Sequence, residues 1–186
     1  MLEPAIRHRV LVATGLVWLV AGSTFSAQDG GLPTREQALA ALFPGAEIAA
    51  ERVFLTDAQR TSIEEISRVD LDTGLIARYV ATQGGRVIGR AYIDTHVVRT
   101  KRESLLISLA DDGTLKRIDV TAFFEPRMYI ASDRWLGQAV GHPLNDDLAM
   151  HRLIRPIVGA TLTTHAATDA TRRVMAIDQV LAETDQ

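Results

Sequence analysis

The sequence predicts an α+β domain: an antiparallel sheet of about four or more strands, preceded by helices and closed by a C-terminal helix. Three observations predict it. Four strand-length segments follow one another through the middle of the chain, joined by turn residues such as Gly84-Gly85 and Asp111-Asp112-Gly113. Two capping boxes, Thr34 with Gln37 and Thr56 with Gln59, open helical patterns ahead of them. Along the last segment Ala167, Ala170, Val174, Ile177 and Leu181 recur at three- and four-residue steps, the period of a helix with one buried face.

In chain order, Arg7, His8 and Arg9 precede the apolar run Val10 to Ala21, and small or polar residues follow it. That is the layout of a secretory signal peptide, residues 1–26 with a cut after Ser26, or of a retained N-terminal anchor. Residues 27–70 are expected to be a helical segment packed on the main domain. Thr34 opens a helix that ends at Phe43-Pro44-Gly45, with Ala38, Leu39, Leu42 and Phe43 facing the core. Ala46 to Phe54 reads as extended, and a second helix runs from Asp57 to about Ser67. The main domain, 71–186, holds strands at Ile76–Thr82, Arg86–Val98, Ser104–Ala110 and Leu115–Phe124. Gly89, inside the second of these, marks a bulge or a close approach to the backbone. Along the fourth, Ile118, Val120, Ala122 and Phe124 alternate with the rest, so Phe124 is expected to pack in the core. Short helices are expected after a cap at Asp133, carrying Trp135 and Leu136, and from Asn145 to Arg152. The last helix is expected from about Thr164, with Arg172 and Arg173 turned away from the core.

The chain of 186 residues, 47% hydrophobic, suits one well-buried domain. Its net charge of −3 and scattered Lys and Arg argue against a polyanion binder. The absence of cysteine removes disulfides, thiolate catalysis and Cys-ligated metals. No histidine stands at metal-site spacing to another, and Asp111-Asp112 and Asn145-Asp146-Asp147 read as turn and cap chemistry, so no metal site is expected. Nucleophile–base pairs and paired carboxylates are lacking, so no catalytic residue is assigned and a substrate-converting enzyme is disfavoured.

Binding chemistry centres on Gly159-Ala160-Thr161-Leu162-Thr163. A small-residue turn, a hydroxyl and a helix start together suit a phosphate, because helix-initial N–H groups are unpaired and the helix dipole favours an anion. Thr161 offers the hydroxyl, while Thr163 and Thr164 are the residues expected to cap the helix. Tyr129, Trp135 and the Phe123-Phe124 pair, with Glu125 beside them, are the candidates for walls around a flat ring. The same residues also suit a plain helix cap and ordinary core packing.

The sequence from Gly159 to Thr163 resembles the Ser-Gly-Ala-Thr-x-Thr flavinylation motif of the FMN-binding domain family, found in the NqrC and RnfG subunits of sodium-pumping and Rnf electron-transport complexes. Upstream, Phe124-Glu125-Pro126-x-x-Tyr129, then Arg134-Trp135-Leu136-Gly137-Gln138 and Gly141, are similar to a segment of small stand-alone members. The likeness covers roughly residues 75–180. It implies FMN joined through its phosphate to Thr161 by a separate Mg-dependent, ApbE-like flavin transferase. It also implies an exported or membrane-associated electron carrier that works with membrane or periplasmic redox partners. Two positions depart from the motif: Arg155 stands where Asp is usual and Val158 where Ser or Thr is usual. Both bear on recognition by the transferase, and with FMN held non-covalently Arg155 would be a phosphate partner. The alternatives are that non-covalent flavoprotein, a flavin-dependent reductase, and a small periplasmic binding or interaction module without flavin.

Overall fold

The computed structural model describes residues 31–184, so the expected signal segment 1–26 lies outside the described residues. From Leu32 onward the chain forms one compact unit, and the segment before residue 70 shares its core with the sheet that follows. Helix α1 (Arg35–Leu42) and helix α2 (Asp57–Ser67) begin at complete capping boxes: Thr34 and Thr56 accept from the backbone N–H of Gln37 and Gln59, whose side chains accept in return. Between them lies β1 (Glu47–Phe54), followed by β2 (Leu75–Gln83), β3 (Arg86–Val97), β4 (Arg102–Ala110) and β5 (Leu115–Phe123). These five strands form one antiparallel meander in the order β1-β2-β3-β4-β5, so the α+β class holds with one strand more than the four central segments.

Both faces of the sheet are covered. On one, the long helix α4 (Thr161–Thr184) and α2 pack over Tyr92, Leu105, Ile107, Leu109, Ile118 and Val120. On the other, Ala38, Leu39, Leu42 and Phe43 of α1 meet Tyr79, Ala81, Ala91 and Leu106. Burial on two sides is why β4 reads as a nearly continuous apolar run instead of alternating. Gly89 adjoins a bulge in β3, where Ile88 is the extra residue between the Ala81–Gly89 and Thr82–Val87 pairs, and a Cβ at Gly89 would lie 2.6 Å from the Leu109 carbonyl oxygen and 2.6 Å from the Phe43 ring. The glycine therefore lets α1 seat its aromatic residue against the sheet.

Several expectations need correction. Residues 145–152 form consecutive turns and no helix. The Asn145 side chain accepts from the N–H groups of Asp147 and Leu148, a local bond that competes with helix formation. Arg172 and Arg173 do not face away from the core. Arg172 is buried and donates to the carbonyls of Ser67 (2.7 Å), Asn145 (2.8 Å) and Leu148 (2.8 Å), tying α4 to the end of α2 and to this turn region. The short helix α3 (Asp133–Leu136) is capped by Ser132, not Asp133. Phe124, expected in the core, lies beyond the end of β5 and is 63% exposed.

Candidate functional site

The last helix starts three residues earlier than expected, at Thr161. Ala160 holds the cap position, where its carbonyl accepts from Thr164 but its methyl group cannot accept from the turn above. No acceptor among the described residues meets the N–H groups of Thr161, Leu162 and Thr163. Thr163 and Thr164 are therefore not caps: both are buried in the first turn, and the Thr164 hydroxyl donates to the Thr161 carbonyl at 2.8 Å. Thr161 itself is exposed. The turn before it depends on Gly159, whose φ of 86° is a conformation that side chains disfavour. A Cβ there would meet no atom within 4 Å, so the glycine is required for the bend and not for room.

Two further segments close around this helix start. The hairpin between β3 and β4 is pinned by Glu125, whose Oε1 accepts from the N–H of Thr100 at 2.7 Å and of Lys101 at 2.8 Å. Those backbone donors hold the Glu125 carboxyl below the ordinary carboxylate range. Glu125, expected beside a ring, thus fixes the hairpin that forms one wall of the pocket. The next segment turns through a short 3₁₀ stretch, Arg127–Tyr129, and presents Tyr129. Together Val98, Arg99, Glu125, Tyr129 and residues 159–163 line a pocket of about 210 Å³. Seven of its nine lining residues, Glu125, Tyr129 and the five from Gly159 to Thr163, were singled out in the sequence.

Trp135 is placed elsewhere. It lines a smaller cavity with Ile118, Leu148 and Ala167, and its indole N–H donates to the Arg155 carbonyl at 2.6 Å. Gln138 takes the Arg155 N–H at 3.0 Å, so the Arg-Trp-Leu-Gly-Gln segment clamps the loop that leads to Thr161 from behind. Arg155 is not a lining residue, and Val158 is 99% exposed at the turn. The cation that does line the pocket is Arg99, at the tip of the β3–β4 hairpin. Sequence reasoning missed it, because only the pairing of β3 with β4 brings residue 99 to residue 161.

Beneath the middle of α4 lies a buried ion network. Arg173 donates to both oxygens of Asp94, at 2.8 and 3.0 Å. His96 meets Asp94 through Nδ1 at 2.8 Å and Glu103 through Nε2 at 3.1 Å. A ring with both nitrogens against carboxylate oxygens is an imidazolium. Burial lowers the His96 pKa, but the two carboxylates outweigh it and raise the value to about 9. Burial likewise opposes ionisation of Asp94, and the bonds from His96 and Arg173 overcome it, leaving its pKa below the ordinary value. The second oxygen of Glu103 is buried without a hydrogen-bond partner among the described residues. The network locks α4 onto β3 and β4 about three turns from its open end. Among the described residues no group of three or more His, Cys, Asp or Glu side chains is placed to hold a metal ion.

The arrangement suits an anion with an attached flat group: unpaired helix-initial N–H groups, an exposed hydroxyl, a guanidinium and a phenol ring share one pocket. Comparison with family models, with curated proteins and with solved structures finds no match for this chain.

Proposed function

We propose that this chain is an exported flavoprotein that carries electrons, with FMN joined through its phosphate to the hydroxyl of Thr161. The observation that carries the reading is the pocket itself. It gathers the motif residues Gly159 to Thr163 with Glu125 and Tyr129, from a segment some thirty residues upstream, around an uncapped helix start. With FMN bound, the N–H groups of Leu162 and Thr163 would meet the phosphate, Arg99 would balance its charge, and Tyr129 would flank the ring. Glu125 fixes the hairpin that carries Arg99, and Trp135 fixes the loop that carries Thr161. At about 210 Å³ the pocket is smaller than the roughly 300–1,000 Å³ of sites that enclose a whole ligand, so it grips the phosphate and one part of a ring and leaves the rest accessible. Such exposure serves an electron carrier, whose group must be approached by donor and acceptor.

The bound flavin supplies the redox chemistry; the chain orients it and tunes its surroundings. Attachment is the work of a Mg-dependent flavin transferase, and electrons pass to and from membrane or periplasmic partners. Arg155 and Val158 are where the chain departs from the transferase's usual motif. If the transferase does not accept them, the same pocket holds FMN without a covalent bond, with Arg99 as phosphate partner. A denaturing gel of protein exported from a host carrying the transferase separates the readings. A fluorescent band absent from Thr161→Ala supports covalent attachment, flavin released on denaturation supports the non-covalent form, and protein without flavin refutes both.

A further inference from the structure

The end of the molecule that holds the pocket carries a second feature. Three segments meet there: the hairpin tip 97–102, the stretch 124–136 and the loop 155–162, joined by the Glu125 bonds to the hairpin and by Phe124 N–H to the Arg102 carbonyl at 3.0 Å. Five of the nine exposed large apolar residues among those described belong to them: Val97, Phe124, Met128, Val158 and Leu162. Met128 is 80% exposed and Val158 99%, so these side chains project and do not pack on one another as a flat patch would. The same segments hold six cations, Arg99, Lys101, Arg102, Arg127, Arg134 and Arg155, against two carboxylates, Glu125 and Asp133, in a chain whose net charge is −3.

We propose that this end docks on the surface of a bilayer containing anionic phospholipid, with the apolar tips entering the interface and the cations meeting the headgroups. Charge decides for lipid over a protein partner. Arg, Met and Phe also suit a protein interface, but six cations against two carboxylates, with a Lys or Arg within three residues of four of the five apolar tips, complement a surface that is anionic throughout and apolar just beneath. Apolar groups interleaved with cations match the apolar-over-anionic layering of a membrane interface. Among the described residues no helix is long and apolar enough to cross a membrane. The inference stands on the surface alone and does not depend on flavin.

The absence of cysteine makes the test local. A polarity-sensitive dye is placed on the full chain at Met128→Cys or Val158→Cys, and at Gln179→Cys as a control. Gln179 is exposed beside Asp178, which neighbours the turn at Gly113 at the opposite end of the sheet. Added to vesicles of phosphatidylcholine with about a third phosphatidylglycerol, the dyes at 128 and 158 should brighten and shift to the blue. The control should stay unchanged even if the N-terminal segment tethers the chain to the vesicle. Pure phosphatidylcholine should give no shift, and salt should reverse the one seen. Replacing Lys101 and Arg102 by Gln should raise the lipid concentration at half-change about thirtyfold. Silence at both sites on anionic vesicles, an equal response at residue 179, or indifference to lipid charge would overturn the proposal. The measurement is made on flavin-free protein, so failure here is distinct from failure of the flavin reading.

Discussion

Replacing His96 by Gln should remove a pH-dependent part of the stability that the wild-type chain carries. His96 bridges Asp94 and Glu103 under α4, and its pKa moves from an ordinary 6.5 to about 9 in the fold. A raised pKa means that the folded state holds the proton more tightly. The stabilisation is therefore full below about pH 6.5 and is lost as pH rises through about 9. At about 1.4 kcal/mol per pH unit the protonated ring contributes roughly 3 kcal/mol. The side chain is only 11% exposed, so solvent screening reduces this little. Denaturant unfolding of wild type and His96→Gln at pH 6 and pH 10 measures it directly. The stability difference between the two proteins should shrink by roughly 3 kcal/mol over that span. The ring resonances of His96, followed by NMR, should titrate well above 7. A ring that titrates at or below 6.5, or a difference that stays constant with pH, would refute the assignment of an imidazolium and with it the electrostatic lock on α4.

Three other perturbations test the frame of the site. Gly89→Ala places a methyl group against the Leu109 carbonyl and the Phe43 ring, and should cost about 1–3 kcal/mol in chemical denaturation. Arg172→Met keeps the apolar stem but orphans three carbonyl acceptors; a loss of about 3 kcal/mol or more in stability is expected, and an unchanged midpoint would contradict its role as a staple. Glu125→Ala should leave the core intact but free the hairpin, so that hydrogen exchange quickens at the amides of Thr100 and Lys101 and not at those of β4.

The fold was legible where local chemistry decides it. Both capping boxes act at the first turns of α1 and α2, and the period of the last helix matches its buried face, Ala167, Ala170, Val174, Ile177 and Leu181. Reading failed where a distant group overrides the local signal. The apolar alternation of β5 cannot reveal that the strand ends one residue short of Phe124, which the end of the sheet leaves in solvent. Arg172 and Arg173 look like solvent-facing charges until Asp94 of β3 and the carbonyl groups of residues 67, 145 and 148 are folded beneath them. Asn145 to Arg152 has a helical composition, yet the Asn145 side chain and Arg172 take the backbone groups a helix would use. At the site, the motif residues and Tyr129 lie in sequence segments that could be named, whereas Arg99 and the support given by Glu125 and Trp135 exist only through strand pairing and loop closure. Similarly, His96 reads as an isolated histidine because Glu103 faces it only across the β3–β4 ladder, while Asp94 joins it from two residues away on the same face of β3.

The central claim concerns one hydroxyl, and intact-mass spectrometry with peptide mapping tests it most directly. Protein exported from a host carrying a flavin transferase should exceed the mass of its processed polypeptide by one phosphate-linked FMN, mapped to the peptide that contains Thr161. Thr161→Ala, a change at an exposed first-turn position, should fold equally well and show the bare polypeptide mass. Wild-type protein at the bare mass, or an adduct that persists in Thr161→Ala, would contradict the account.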